Sequence, residues 1–108
     1  MNSSQIQFDT GPKQIDLSQL QELFKLEALW PKERRVEDLE SALSNSEPVV
    51  SAWDGEKMIG FARATSDGIY RAIIWDVVIH PDYRGDGLGQ KLLGTLLNHP
   101  RMNRVEKI

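Results

Sequence analysis

The residues best suited to chemistry stand in one short run, Arg84-Gly85-Asp86-Gly87-Leu88-Gly89. A guanidinium followed by three alternating glycines, set directly before a leucine-rich segment, has the composition of an anion cradle. Glycine tolerates positive φ and lets backbone N–H groups approach a bulky ligand. A following helix adds N-terminal N–H groups and a partial positive charge. Arginine adds a delocalised cation matched to phosphate oxygens. A pyrophosphate-bearing ligand is the natural candidate.

The titratable groups near this run are few. Asp76 is the one carboxylate inside the β-branched run upstream. It reads either as a catalytic or acceptor-binding group, or as a buried carboxylate pairing Arg63 or Arg71. Strand alternation sets it on the opposite face from Val77 unless a bulge intervenes. His80 reads as a turn residue ahead of a base. His99, before Pro100, reads as a helix-end residue whose cation would suit the dipole. The chain has no cysteine, which excludes disulfides, thiolate metal sites and a cysteine nucleophile. No metal site is expected.

The surrounding pattern must position these groups. Ile73-Ile74-Trp75-Asp76-Val77-Val78-Ile79 is a β-branched run, and a strand is predicted over 72–79. Leu88, Leu92, Leu93, Leu96 and Leu97 recur at helical spacing, so a helix follows the glycine loop and ends near Asn98-His99-Pro100. Upstream, Ile6-Gln7-Phe8 suggests a first strand. A helix opens at Asp16 or Ser18, carries Leu20, Leu23, Phe24 and Ala28 on one stripe, and ends at Trp30-Pro31. A second helix is predicted over 36–43. Strands are predicted over 48–53 and 57–65, joined at Asp54-Gly55. Trp53 and Phe61 read as core. Residues 104–108 alternate like the start of another strand. The order is β-α-α-β-β-β-α-β, with antiparallel hairpins followed by a right-handed parallel crossover through the last helix.

The chain has 108 residues, about 40% hydrophobic and 27% charged, with formal net charge −3. That size suits one soluble domain. Mild acidity argues against nucleic-acid or anionic-membrane binding, both of which need a basic face. No apolar run approaches the ~20 residues that span a bilayer, and 1–5 lack a signal pattern. A cytoplasmic location is the expectation.

Two nucleotide fingerprints fail on counting. G-x-G-x-x-G begun at Gly85 needs glycine where Gln90 stands, and begun at Gly87 needs it where Leu92 stands. The P-loop pattern fails as well. What remains is Arg84-x-x-Gly87-x-Gly89 between a strand and a helix. In that context, with the lead-in 77–85 and the hairpin around Val50-Ser51-Ala52-Trp53-Asp54-Gly55, the chain resembles the GCN5-related N-acetyltransferase (GNAT) superfamily. It looks most similar to cyanobacterial and plastid members.

The resemblance implies an α/β (α+β) fold with a mixed, mostly antiparallel sheet flanked by helices. It implies one domain over 1–108, cut after the start of the fifth strand and lacking the region that usually supplies a tyrosine acid; Tyr83 is not its equivalent. It further implies acetyl-CoA as cosubstrate and no metal. Backbone groups of Gly85, Asp86, Gly87, Leu88, Gly89 and Gln90 would hold the pyrophosphate, with Arg84 opening the cradle. Val77, Val78 and Ile79 would meet the pantetheine arm, and the Val77 N–H would serve the oxyanion. Family members often carry Glu or His at the positions of Ile73 or Trp75, which are apolar here; Asp76 is then the candidate catalytic side chain. The region of Trp30 and Lys32-Glu33-Arg34-Arg35 often shapes the acceptor pocket in the family; the other reading is a core tryptophan beside solvated charges. The implied reaction is direct acetyl transfer to a primary amine, whether small amine, arylalkylamine, or protein lysine or N-terminus. The location is the plastid stroma if the origin is plastid, and a homodimer is compatible. The other reading is a non-catalytic acyl-CoA-binding module or an inactive fragment.

Overall fold

The computed structural model describes residues 6–11, 15–26 and 34–108. Four strands pair in chain order, each antiparallel to its neighbour: β1 (Ile6–Thr10), β2 (Val49–Asp54), β3 (Lys57–Ser66) and β4 (Ala72–Ile79). α1 (Leu17–Lys25) and α2 (Val36–Ser44) cover one face of the sheet, and α3 (Leu88–Leu97) covers the other. The periodic leucines explain both layers. Leu88, Leu92 and Leu96 of α3 pack on Val50, Ala52, Ala62 and Ala64. Leu20, Leu23 and Phe24 of α1 and Leu39 and Leu43 of α2 pack on Val49, Met58, Phe61 and Val78. The central strands bury both faces, so they read as continuous apolar runs.

Most of the predicted elements appear near their predicted bounds, with four differences. The first helix closes at Lys25, where the Leu26 N–H reaches the carbonyls of Glu22 and Leu23; the predicted end at Trp30-Pro31, and Ala28, lie outside the described residues. In the β2–β3 hairpin Asp54 pairs with Lys57, so the turn residues are Gly55 and Glu56, with Gly55 at φ 62°. The expected fifth strand appears as one parallel bridge, Arg71 to Lys107, closed by Lys107 N–H to the Tyr70 carbonyl and Ala72 N–H to the Lys107 carbonyl, both 3.0 Å. Among the described residues the four-stranded sheet itself is antiparallel throughout, and this isolated bridge is the one parallel pairing in place of the expected mixed sheet. Finally, His99, just past the end of α3, serves the turn that follows. Its Nδ1 accepts the Arg101 N–H at 3.0 Å and caps a 3-10 turn over Pro100–Met102.

Two bulges re-phase the strands. β3 carries one extra residue, Ile59, between the pairs Trp53–Met58 and Ala52–Gly60. β4 carries one between the pairs Arg63–Trp75 and Phe61–Val78, where Asp76 takes φ 55°. Beside the first bulge, Gly60 is required by space: a Cβ there would lie 2.9 Å from Ile79 Cδ1 and 3.2 Å from Ala52 Cβ.

Candidate functional site

β4 delivers the chain to the glycine loop through a short capped turn. Pro81–Tyr83 forms a 3-10 turn whose cap is His80, its Nδ1 accepting the Asp82 N–H at 3.1 Å. His80 is therefore a turn residue, as expected, with one ring nitrogen already engaged. Tyr83 folds under the loop; it is buried, and its hydroxyl donates to Asp54 Oδ2 at 2.5 Å. That hydrogen bond raises the Tyr83 pKa above the ordinary tyrosine value. The Arg84 Nε then donates back to the Ile79 carbonyl at 3.2 Å, which sets the arginine across the end of β4.

The loop has the conformation an anion cradle needs. Gly85 and Gly87 take φ 97° and 75°, where a side chain is strained. Gly87 is the N-cap of α3, and no side chain caps that end. A helix start leaves its first N–H groups without intrahelical partners, so those of α3 point outward and carry the positive end of the macrodipole. A cavity of about 460 Å³ opens over them, lined by Val77, Ile79, Tyr83, Arg84, Gly85, Gly87, Leu88, Gly89 and Gln90. No Cβ at Gly85, Gly87 or Gly89 would meet any atom within 4 Å, so the approach is open. The lining residues suit a bulky anionic ligand such as a phosphate ester.

The structure thus brings Val77, Ile79, Arg84, Gly85, Gly87, Leu88, Gly89 and Gln90 to one cavity. Val78 turns its side chain into the α1/α2 core, and Asp86 is exposed outside the lining. The bulge explains the division. Before it, Ala72 and Ile74 face α3; after it, Ile79 faces α3 while Val78 faces α1.

Asp76 sits across the sheet from the cavity. Its Oδ2 accepts from Arg63 Nε at 2.8 Å and is 3.0 Å from Arg34 Nη1, and its side chain is 8% exposed. Of the two sequence readings, the paired carboxylate is the one its surroundings match, with Arg63 as one partner; Arg71 instead bridges Lys107. Arg34 is the residue that sequence reasoning missed, being read among solvated charges. Its guanidinium lies 4.5 Å from the Phe24 ring centroid. Arg35 is exposed beside Glu37, and Trp30, Lys32 and Glu33 lie outside the described residues. Trp75 and Ile73 flank this side, both exposed; the Trp75 Nε1 donates to Thr65 Oγ1 at 2.9 Å. Among the described residues no cluster of metal-binding side chains occurs, and no helix is long and apolar enough to cross a membrane.

Comparison with known proteins adds a family to this geometry. The acetyltransferase (GNAT) family model matches residues 17–108. The N-acetyltransferase ycf52 of Pyropia yezoensis is 39% identical over 100 residues, covering 89% of this chain and 56% of that protein. A ycf52-like N-acetyltransferase of Prochlorococcus marinus is 36% identical over 98 residues, covering 87% and 53%. An acetyltransferase structure from Deinococcus radiodurans aligns with TM-score 0.79 at 27% identity, covering 100% of this chain and 75% of that one. The chain spans about half the length of the curated relatives it matches.

Proposed function

Because this chain belongs to the acetyltransferase (GNAT) family, we propose that it binds acetyl-CoA in the cavity over α3 and takes part in acetyl transfer to a primary amine. The observation that carries this reading is the α3 N-terminus, free of any side-chain cap, opening with Gly85 and Gly87 into the cavity that Val77 also lines. Backbone N–H groups of residues 85–90, with Arg84 beside them, hold the pyrophosphate. Main-chain groups of Val77, Val78 and Ile79 run beside the pantetheine arm.

The thioester supplies an acyl carbon open to attack by an amine. An alkylamine of pKa ~10.4 is mostly protonated at neutral pH, so a base, directly or through water, must first take its proton. Attack forms the C–N bond and puts negative charge on the former carbonyl oxygen, for which the Val77 N–H is the donor; collapse re-forms the carbonyl, breaks the C–S bond and releases CoA as a thiolate that takes a proton from water. With no cysteine in the chain, direct transfer between donor and acceptor is the simplest course. The acceptor is a small amine, an arylalkylamine, or a protein lysine or N-terminus. The site of action is cytoplasmic or, given the ycf52 relatives, the plastid stroma.

Calorimetry tests the donor. We expect acetyl-CoA to bind, and Arg84→Ala to weaken it about 10- to 100-fold, the worth of a charged hydrogen bond. Gly87→Trp should weaken it further, because tryptophan is strained at φ 75°. A folded protein with no affinity for acetyl-CoA would falsify the reading. A second reading, an acyl-CoA-binding module without catalysis, is favoured by apolar Ile73 and Trp75 and by the engagement of Asp76 with two arginines. Binding without acetylated product across a panel of amines and peptides would select it.

A further inference from the structure

Asp76 is the single non-glycine residue at positive φ among the described residues; the other five such positions are all glycine. A position chosen only for its backbone angle would be glycine here too. Its carboxylate meets two arginines. Arg63 Nε and Arg34 Nη1 converge on the same oxygen at 2.8 and 3.0 Å. Each arginine is held in turn. Arg63 Nη1 donates to Ser46 Oγ at 3.1 Å, and its guanidinium lies 5.5 Å from the Trp75 ring centroid. Arg34 rests on Phe24, and its carbonyl accepts from Gln21 Nε2 at 2.8 Å. The bulge is thereby tied to α1, to the end of α2 and to β3. Asp76 and Val77 have no Cα partner on β3, so the ladder alone does not fix the peptide between them.

We propose that Asp76 is a positioning residue: its carboxylate, clamped by Arg63 and Arg34, holds the β4 bulge so that the Val77 N–H is aimed at the reacting oxygen. The proposal rests on the reading of Val77 given above. The carboxylate lies on the α1/α2 face and Val77 on the cavity face, so Asp76 acts through the backbone and never touches the substrate.

The test compares Asp76→Gly, Asp76→Asn and Arg34→Gln in the ¹⁵N-labelled protein. Three quantities are read: acetyl-CoA affinity, kcat and KM for an amine acceptor, and the shift of the Val77 amide resonance on adding acetyl-CoA. Glycine relaxes φ while removing the clamp, and asparagine tolerates φ while removing the charge. Both should lower kcat about 10- to 100-fold, below the 10²–10³ for outright loss of an oxyanion donor. Acetyl-CoA affinity should stay within about threefold and the Val77 shift should be lost; this split follows because only transition-state stabilisation is removed. Arg34→Gln, which loosens one arm of the clamp, should lower kcat several-fold with the melting temperature retained, and it stands as the test if Asp76→Gly does not fold. Wild-type kcat and a wild-type Val77 shift in Asp76→Gly, or unchanged kcat in Arg34→Gln, overturn the proposal. So does loss of the acid limb of the pH–rate profile in Asp76→Asn, which would make Asp76 a base. Wild-type protein without affinity for acetyl-CoA overturns the acetyl-transfer reading as well; binding by the wild type beside an indifferent Asp76→Gly overturns this proposal alone.

Discussion

Tyr83, part of the cavity lining, also supports the site from beneath the loop. Its hydroxyl is spent on Asp54, at the far end of the β2–β3 hairpin, and Lys57 lies 5.5 Å from its ring centroid. The bond to Asp54 keeps the phenol protonated, so its pKa is raised. A raised value means the unfolded chain releases the proton first. The contribution is therefore complete below the ordinary tyrosine pKa of ~10 and is lost as pH rises through the folded value. Tyr83→Phe should lower stability at neutral pH, and the gap between variant and wild type should narrow above about pH 10; urea melts from pH 7 upward measure it. A pairing of Asp76 with an arginine was one of the readings open in the sequence, with Arg63 and Arg71 both offered; the β3–β4 pairing selects Arg63. Arg34 was not offered. It stands in the run Lys32-Glu33-Arg34-Arg35, and nothing in the composition of that run distinguishes a guanidinium paired with a buried carboxylate from a solvated one.

Among the elements, α1 is fixed by its first turn. The Asp16 carboxylate accepts the N–H groups of Ser18 and Gln19 at 3.0 and 3.2 Å. Gln19 then bridges outward, its Nε2 donating to the Glu56 carbonyl and its Oε1 accepting the Met58 N–H at 2.7 Å. The cap lowers the Asp16 pKa, first through the Gln19 N–H. A lowered value stabilises the fold above the ordinary carboxylate pKa, and that stabilisation is lost as pH falls through the folded value. Asp16→Ala should cost about 1 kcal/mol at neutral pH, typical of an N-cap, and the cost should fade in acid; denaturant midpoints at pH 7 and below pH 4 compare the two. The cap residue, the α3 leucines and the bounds of β4 could be read from sequence because each is a local signal. The bulges could not, since an extra residue is defined only against a partner strand.

Over the whole molecule, stability is concentrated where two apolar layers meet the sheet. Phe61 is 1% exposed and meets Phe24 edge-on, with ring centroids 6.0 Å apart. Phe61→Ala should cost about 3–5 kcal/mol, as large-to-small changes in aromatic cores do. Ile73, 53% exposed on β4, should accept threonine within about 0.5 kcal/mol, as surface positions do. Thermal melts of the two variants separate a core from a rim, and a large loss at Ile73 would show that this edge is covered. The layered architecture was legible because helix and strand periodicities are strong. The bulge in β4 has one more consequence, which concerns counting. It works as a frame shift for side chains: one residue too many, and every position after it changes sides. Deleting a single residue between Trp75 and Val78 would rejoin the two pairs without the bulge. Strict alternation would then carry on unbroken from Ile74, and the chain would enter the glycine loop rotated by half a pleat. Along this strand, Asp76 apart, the number of residues is more tightly constrained than their kind, so conservative substitutions should be tolerated where insertions and deletions are not.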